Sequence, residues 1–185
     1  THVFRYTVLD GDVDGNGVGM TSLDANGAIL RDAMANDADL ALHNPSGTAR
    51  VDGVLPAAVT VNGLVTSTVG ADITFAVTWT EPVTVTGAPY LSVTIGAVTR
   101  RASVNPAAGT DMLIFTYKVQ AGDEGSVGLN NALQLNGGAV RDAAGNDALA
   151  TLSGAFAGDF GVVDTTPPAA LILMPPDNGF YGASR

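Results

Sequence analysis

Hydrophobic residues recur at every second position in several short runs of the chain. Ile73, Phe75, Val77 and Trp79 alternate with Thr74, Ala76, Thr78 and Thr80. That period of two belongs to a strand with one buried face. Val83 and Val85 follow, and Leu91, Val93 and Ile95 then alternate with Ser92 and Thr94. Leu113, Phe115, Tyr117 and Val119 predict another inward face, and Phe4, Tyr6 and Val8 predict the same face near the start. Turn signals separate the runs: Gly87-Ala88-Pro89, Asn105-Pro106, Ala121-Gly122-Asp123, Asn136-Gly137-Gly138 and Ala144-Gly145-Asn146. The Ala and Leu content of Ala28 to Leu42 would suit a helix. Its counterpart further on contains Gly145-Asn146, which predicts a strand, a turn and a strand. Many short strands without a helical stretch predict an all-β, antiparallel β-sandwich, with a small antiparallel barrel as the alternative.

The pattern also repeats. Phe4 to Asp12 and Phe115 to Asp123 share five of nine residues at an offset of 111. Leu23 to Leu40 matches Leu133 to Ala150 at nine of eighteen positions, offset by 110. Val51-Asp52 and Pro56-Ala57-Ala58 recur as Val163-Asp164 and Pro168-Ala169-Ala170, offset by 112. Three matches at nearly one offset predict tandem units. Residues 1–52 read as the rear half of one unit, 53–164 as a complete unit, and 165–185 as a linker and first strand of a third. A first half-unit with one apolar face and no partner sheet is expected to leave that face incompletely covered.

Composition then removes whole classes of function. The 185 residues carry 18 acidic and 8 basic side chains, a net charge of −10. Nucleic acid and anionic membrane surfaces both call for clustered Lys and Arg. The longest apolar run, Ala169 to Met174, falls far short of the roughly 20 residues that span a bilayer. There is no cysteine, which excludes disulfides and thiolate metal sites. The chain opens at Thr1 with no signal segment, and we read it as a piece of a longer polypeptide. Of the acidic residues 16 are Asp and 2 are Glu. Short carboxylates suit turns, and in loops they also suit hard cations such as calcium.

The run Thr74 to Gly87 resembles a strand pair of bacterial Ig-like repeats. Phe115-Thr116-Tyr117-Lys118-Val119 with Ala121-Gly122-Asp123 resembles them too, as does Arg141-Asp142-Ala143-Ala144-Gly145-Asn146. Val163-Asp164-Thr165-Thr166-Pro167-Pro168 is similar to the junction between their successive domains. These repeats occur in large adhesins, haemagglutinin-like proteins and long cyanobacterial repeat proteins. The resemblance implies tandem Ig-like β-sandwiches at the bacterial cell surface or secreted, acting as extender or adhesion modules. It implies neighbouring repeats as partners, often with Ca2+ at the junctions, and no catalysis. The first junction departs from the pattern: Gly53 follows Asp52 where Thr165 follows Asp164, which predicts a looser link.

Two constellations predict calcium ligands. Asp10, Asp12, Asp14 and Asn16 place oxygen-bearing side chains at alternate positions of a Gly-rich loop. It is not an EF-hand, because no Glu stands at the twelfth position and no helices flank it. Its counterpart keeps Asp123 and Glu124 but not the alternation. The second set is Asp32, Asn36 and Asp37 with their copies Asp142, Asn146 and Asp147. There the turn oxygens are expected to join the linker residues Asp52 and Asp164 across a domain junction. The competing role is local turn capping, and Arg31 and Arg141 beside these Asp residues favour it. His2 and His43 have no second ligand at metal spacing and are expected at the surface. No nucleophile elbow or phosphate loop occurs. Glu81 and Asp111 are the carboxylates that spacing leaves open for glycoside hydrolysis. Trp79 is expected in the core and not as a sugar-stacking platform. The alternatives kept are a glycan- or host-protein-binding module and an accessory domain of a larger extracellular enzyme.

Overall fold

A computed structural model describes residues 3–20, 22–42, 47–65, 68–105, 108–152, 154–156 and 160–170. His2, His43, Pro106 of the Asn105-Pro106 turn and residues 171–185 of the third-unit segment lie outside the described residues. Among those described there is no helix, hence none long and apolar enough to cross a membrane. The described residues form ten strands, beginning with β1 (Val13–Asp14), β2 (Val51–Asp52), β3 (Ala58–Leu64), β4 (Asp72–Thr86) and β5 (Tyr90–Ile95). They are followed by β6 (Val98–Val104), β7 (Ala108–Lys118), β8 (Gly125–Gln134), β9 (Ala139–Arg141) and β10 (Val162–Val163).

The all-strand, antiparallel class is as expected. β3 to β8 and β10 form one curled sheet in the order β10-β8-β5-β6-β7-β4-β3, and β9 pairs the far half of β4. β6 and β7 pair at Ser103↔Thr116 and Val104↔Phe115, and Asn105 N–H donates to the Ile114 carbonyl at 2.8 Å. Inward side chains of β3, β4 and β7 and of β5, β6 and β8 share one buried core, a sandwich-like arrangement.

The alternation read from the sequence is what builds this core. Ile73, Phe75, Val77, Leu91, Val93, Ile95, Leu113 and Phe115 are fully buried, and Trp79, Tyr117 and Val119 nearly so. Their Thr, Ala and Ser neighbours are exposed or half-buried. β4 is the long spine and is irregular in one place. Its pairing with β7 slips between Thr78↔Met112 and Val83↔Thr110. Pro82, which has no N–H for a ladder bond, stands inside that slip. Beyond it, Thr84, Val85 and Thr86 pair with Arg141, Val140 and Ala139.

Residues 3–52 fold differently from the strand reading of Phe4, Tyr6 and Val8. These three lie outside any strand, and Phe4 and Tyr6 are 72% and 73% exposed. Alternation reports which face a segment is built to bury; burial itself needs a partner sheet. Local structure nevertheless recurs between the two stretches. β1 pairs β2 with Asp14 opposite Val51, and β8 pairs β10 with Gly125 opposite Val163, the same register at the sequence offsets. Asn26-Gly27 and Asn136-Gly137 both sit at positive φ, the backbone of a tight hairpin turn. The bridge Arg31↔Asp37 recurs as Arg141↔Asp147, in place of any helix over Ala28 to Leu42.

Gly53 is packed closely against the loop at residues 9–12. Gly53 N–H donates to the Asp12 carbonyl at 2.8 Å, and Gly11 N–H donates to the Gly53 carbonyl at 3.0 Å. Gly53 is buried, and a Cβ there would overlap the Leu9 carbonyl oxygen. Glycine therefore serves close backbone approach here. Gly53→Ala is expected to cost about 1–3 kcal/mol, as overpacking does. The check is amide exchange at Gly11, which should accelerate while the β4–β7 amides stay protected.

Candidate functional site

Three carboxylates converge where β2 approaches the large sheet. Asp52 ends β2, Glu81 sits in the β4 slip beside Pro82, and Asp142 follows β9. One carboxylate oxygen from each lies within 4.8 Å of the others. Among the described residues no other group of three acidic or imidazole side chains converges in this way. The topology explains it. Pairing of β9 with Thr84–Thr86 carries Asp142 to the slip, which in turn releases Glu81 from the ladder. An open groove of about 390 Å³ runs beside Glu81 and Asp52, lined also by Asp14, Arg50, Val54 and Thr80.

Asn146 fixes this arrangement. Its Nδ2 donates to the Asp52 carbonyl at 2.9 Å, to the Val54 carbonyl at 3.3 Å and to Asp142 Oδ2 at 2.7 Å. Asp142 Oδ1 accepts from Gly145 N at 2.7 Å and Asn146 N at 2.9 Å. Burial alone would raise the Asp142 carboxyl. The bonds from Asn146 and the turn backbone outweigh it and hold that carboxyl below its ordinary value. Glu81 goes the other way: partial burial, then the charges of Asp142 and Asp52, push it above the usual glutamate range. A strongly held anion beside one that resists ionisation is an arrangement a divalent cation would relieve. Oxygen ligands of this kind suit a hard ion such as calcium.

The other expected ligands are placed elsewhere. Asp12 Oδ2 accepts from the Tyr6 hydroxyl and from Leu9 N, each at 2.8 Å. Asp14 Oδ1 caps its own turn, accepting from Asn16 N at 2.9 Å and Gly17 N at 3.1 Å. Asp10, Asp12 and Asp14 form no converging group of three among the described residues. Asp32 accepts from Asn36 N and Asn36 Nδ2, the same turn as Asp142 but without a linker against it. Asp37 pairs with Arg31, and Asp147 with Arg141, as the adjacent arginines suggested. Asp164 caps Thr166 N at 3.0 Å. The turn at 142–147 consequently reaches Asp52, and it is Glu124 that holds Thr165 and Thr166. Glu124 Oε1 accepts from Thr165 N and from the hydroxyls of Thr165 and Thr166 at 2.7–2.9 Å.

Spacing missed Glu81 as a partner of Asp52 and Asp142; the signal was Pro82, which breaks the ladder next to it. Sequence reasoning placed Asp123 in a loop and missed that it is fully buried. Its Oδ2 accepts from the Tyr117 hydroxyl at 2.6 Å and Gln120 N at 2.8 Å, and Arg100 contacts its Oδ1 at 2.8 Å. Tyr6 and Asp12 repeat the tyrosine–aspartate part of that arrangement. Trp79 is 2% exposed, and Arg101 lies 4.5 Å over the centre of the Tyr90 ring. Trp79 therefore offers no sugar-stacking surface, and one face of Tyr90 is already taken. No family model matches this chain, and neither a curated protein nor a solved structure is significantly similar to it.

Proposed function

We propose that this chain is a structural extender or adhesion segment of a bacterial surface or secreted protein. In this reading it is built from tandem Ig-like sandwiches and has no catalytic role. Calcium held by Asp52, Glu81 and Asp142 ties the linker to the sheet and limits bending at the junction. Neighbouring repeats of the same polypeptide are the partners. The observation that carries this reading is the convergence of one linker carboxylate with two from the sheet. An ion there cross-links two segments that otherwise meet through Asn146 and a few backbone bonds. The acidic, Thr-rich surface keeps such an array soluble and extended.

The test is thermal melting in calcium and in chelator, on the chain and on Glu81→Gln. At calcium about 100 times above the dissociation constant, the chain should melt roughly 5–10 °C higher than in chelator. Glu81→Gln should lose that response. In chelator it should melt no lower than the chain, because it removes a charge that Asp142 and Asp52 repel. Equal melting of the chain in both buffers would reject calcium. The pH dependence has a definite sign. A carboxyl whose value is raised by folding leaves stability intact below its unfolded value and withdraws it as pH rises through the raised one. In chelator the chain should therefore lose stability across that window relative to Glu81→Gln, and calcium should abolish the difference.

A further inference from the structure

Phe4, Tyr6 and Val8 stand at the sequence positions of Phe115, Tyr117 and Val119. The second set is buried against β4 and β6; in the first, Phe4 and Tyr6 are about three-quarters exposed. The corner that ends the segment is nonetheless already built, with the Tyr6 hydroxyl and Leu9 N–H on Asp12 Oδ2. One component is missing. Asp123 carries an ion pair with Arg100 of β6 on its other oxygen, whereas Asp12 has no ion-pair partner among the described residues.

We propose that the Phe4–Tyr6–Val8 face is a docking surface for the front half of a repeat unit like residues 53–111. The occupant would bring a strand with alternating apolar residues like β4 and an arginine like Arg100. The register follows from the complete unit. Phe75 lies opposite Phe115 and Ile73 opposite Tyr117, so their counterparts would face Phe4 and Tyr6 while the arginine closed on Asp12. The apolar match and the charge complementarity select the same partner. This inference rests on the repeat reading but not on calcium, so its test is run in chelator.

The experiment places a second copy of residues 53–111 directly ahead of Thr1 in the full chain, the join that the 111-residue offset dictates. Exchange of the amides of Phe4 to Leu9 is followed by mass spectrometry, with the Phe115 segment as internal reference. Exchange should slow by about 100-fold or more, the protection of a strand inside a sheet. Arg100→Gln in the added copy alone should return part of that protection. A second version makes the pairing authentic by Arg5→Thr, Thr7→Lys, Leu9→Gln and Asp10→Ala. If neither version protects Phe4 to Leu9, the proposal is overturned. It is equally overturned if the chain without the extension protects this segment in a concentration-dependent dimer, which would make a second copy the occupant.

Discussion

Asp123→Ala should destabilise the chain by about 3–5 kcal/mol, the cost of leaving a buried charge and its donors without their partner. The carboxylate is fully buried and joins three segments: Arg100 from β6, Tyr117 from β7 and the backbone of Gln120 in the following turn. Removing it strands the Tyr117 hydroxyl, which burial and then the hydrogen bond to Asp123 push up to about 12. That hydroxyl stays protonated at neutral pH and keeps donating. Urea melts of the chain and the variant measure the loss, with the slope unchanged if only stability is affected. The matching change at the exposed corner, Asp12→Ala, should leave the urea midpoint almost where it was. Burial alone would raise the Asp123 carboxyl, but the Tyr117, Gln120 and Arg100 bonds outweigh it and lower it. A carboxyl lowered by folding contributes fully above its unfolded value and loses that contribution as pH falls through the folded one. Acid should therefore weaken the chain and leave Asp123→Ala comparatively unmoved. Equal urea midpoints for Asp123→Ala and Asp12→Ala would show that burial does not set the value of this corner.

The contrast between the two corners also explains what could be read from the sequence. Period-two alternation identified Ile73, Phe75, Val77 and Trp79 as core because a strand with one dry face has no other way to arrange them. The same pattern marked Phe4, Tyr6 and Val8, and these are exposed: the pattern records a capacity to be buried, while burial depends on a second sheet. Turn chemistry was legible where it is local. Asn26-Gly27 and Asn136-Gly137 carry their conformation within two residues, and the arginines beside Asp32 and Asp142 announced the pairs with Asp37 and Asp147. The acidic cluster was half legible. Asp52 and Asp142 were expected at a junction, but nothing in the sequence pairs Asp142 with Asp52 in preference to Asp164. Which linker it meets follows from β9 pairing the far half of β4, a contact between residues more than 50 positions apart. Glu81 enters for the same reason, since only the slip at Pro82 turns it toward them. Gly53 shows the limit of reading one residue by its intrinsic freedom. Its missing Cβ admits the Leu9 carbonyl, and the outcome is close packing against the loop at residues 9–12.

Phe75→Ala should cost about 3–5 kcal/mol, as deletion of a fully buried phenylalanine ring does, and should also loosen a segment remote from it in sequence. Phe75 is completely buried in β4. It meets Phe160 edge to face, with ring centres 5.4 Å apart and planes at 82°, and Phe160 meets Phe156 in the same manner at 6.1 Å and 87°. These contacts, with Val61 N–H donating to the Ala155 carbonyl at 2.6 Å, hold Ala155, Phe156 and Phe160 against β3 and β4. A Cβ at Gly63 would collide with the Phe160 ring, so that ring is seated against the bare backbone of β3. Removing the Phe75 ring takes away one of the contacts that aligns it. Exchange at the Val61 amide should accelerate beyond the global loss of stability, and so should exchange at Val127, whose N–H donates to the Gly161 carbonyl at 2.9 Å. Phe75→Leu, which keeps most of the apolar volume but no ring edge, separates the two contributions. It should recover most of the urea midpoint while leaving Val61 and Val127 faster than in the chain. If Phe75→Leu restored both together, the aromatic contacts would add nothing beyond filled space. Ala155 and Gly161 would then be held by their backbone bonds to Val61 and Val127 alone.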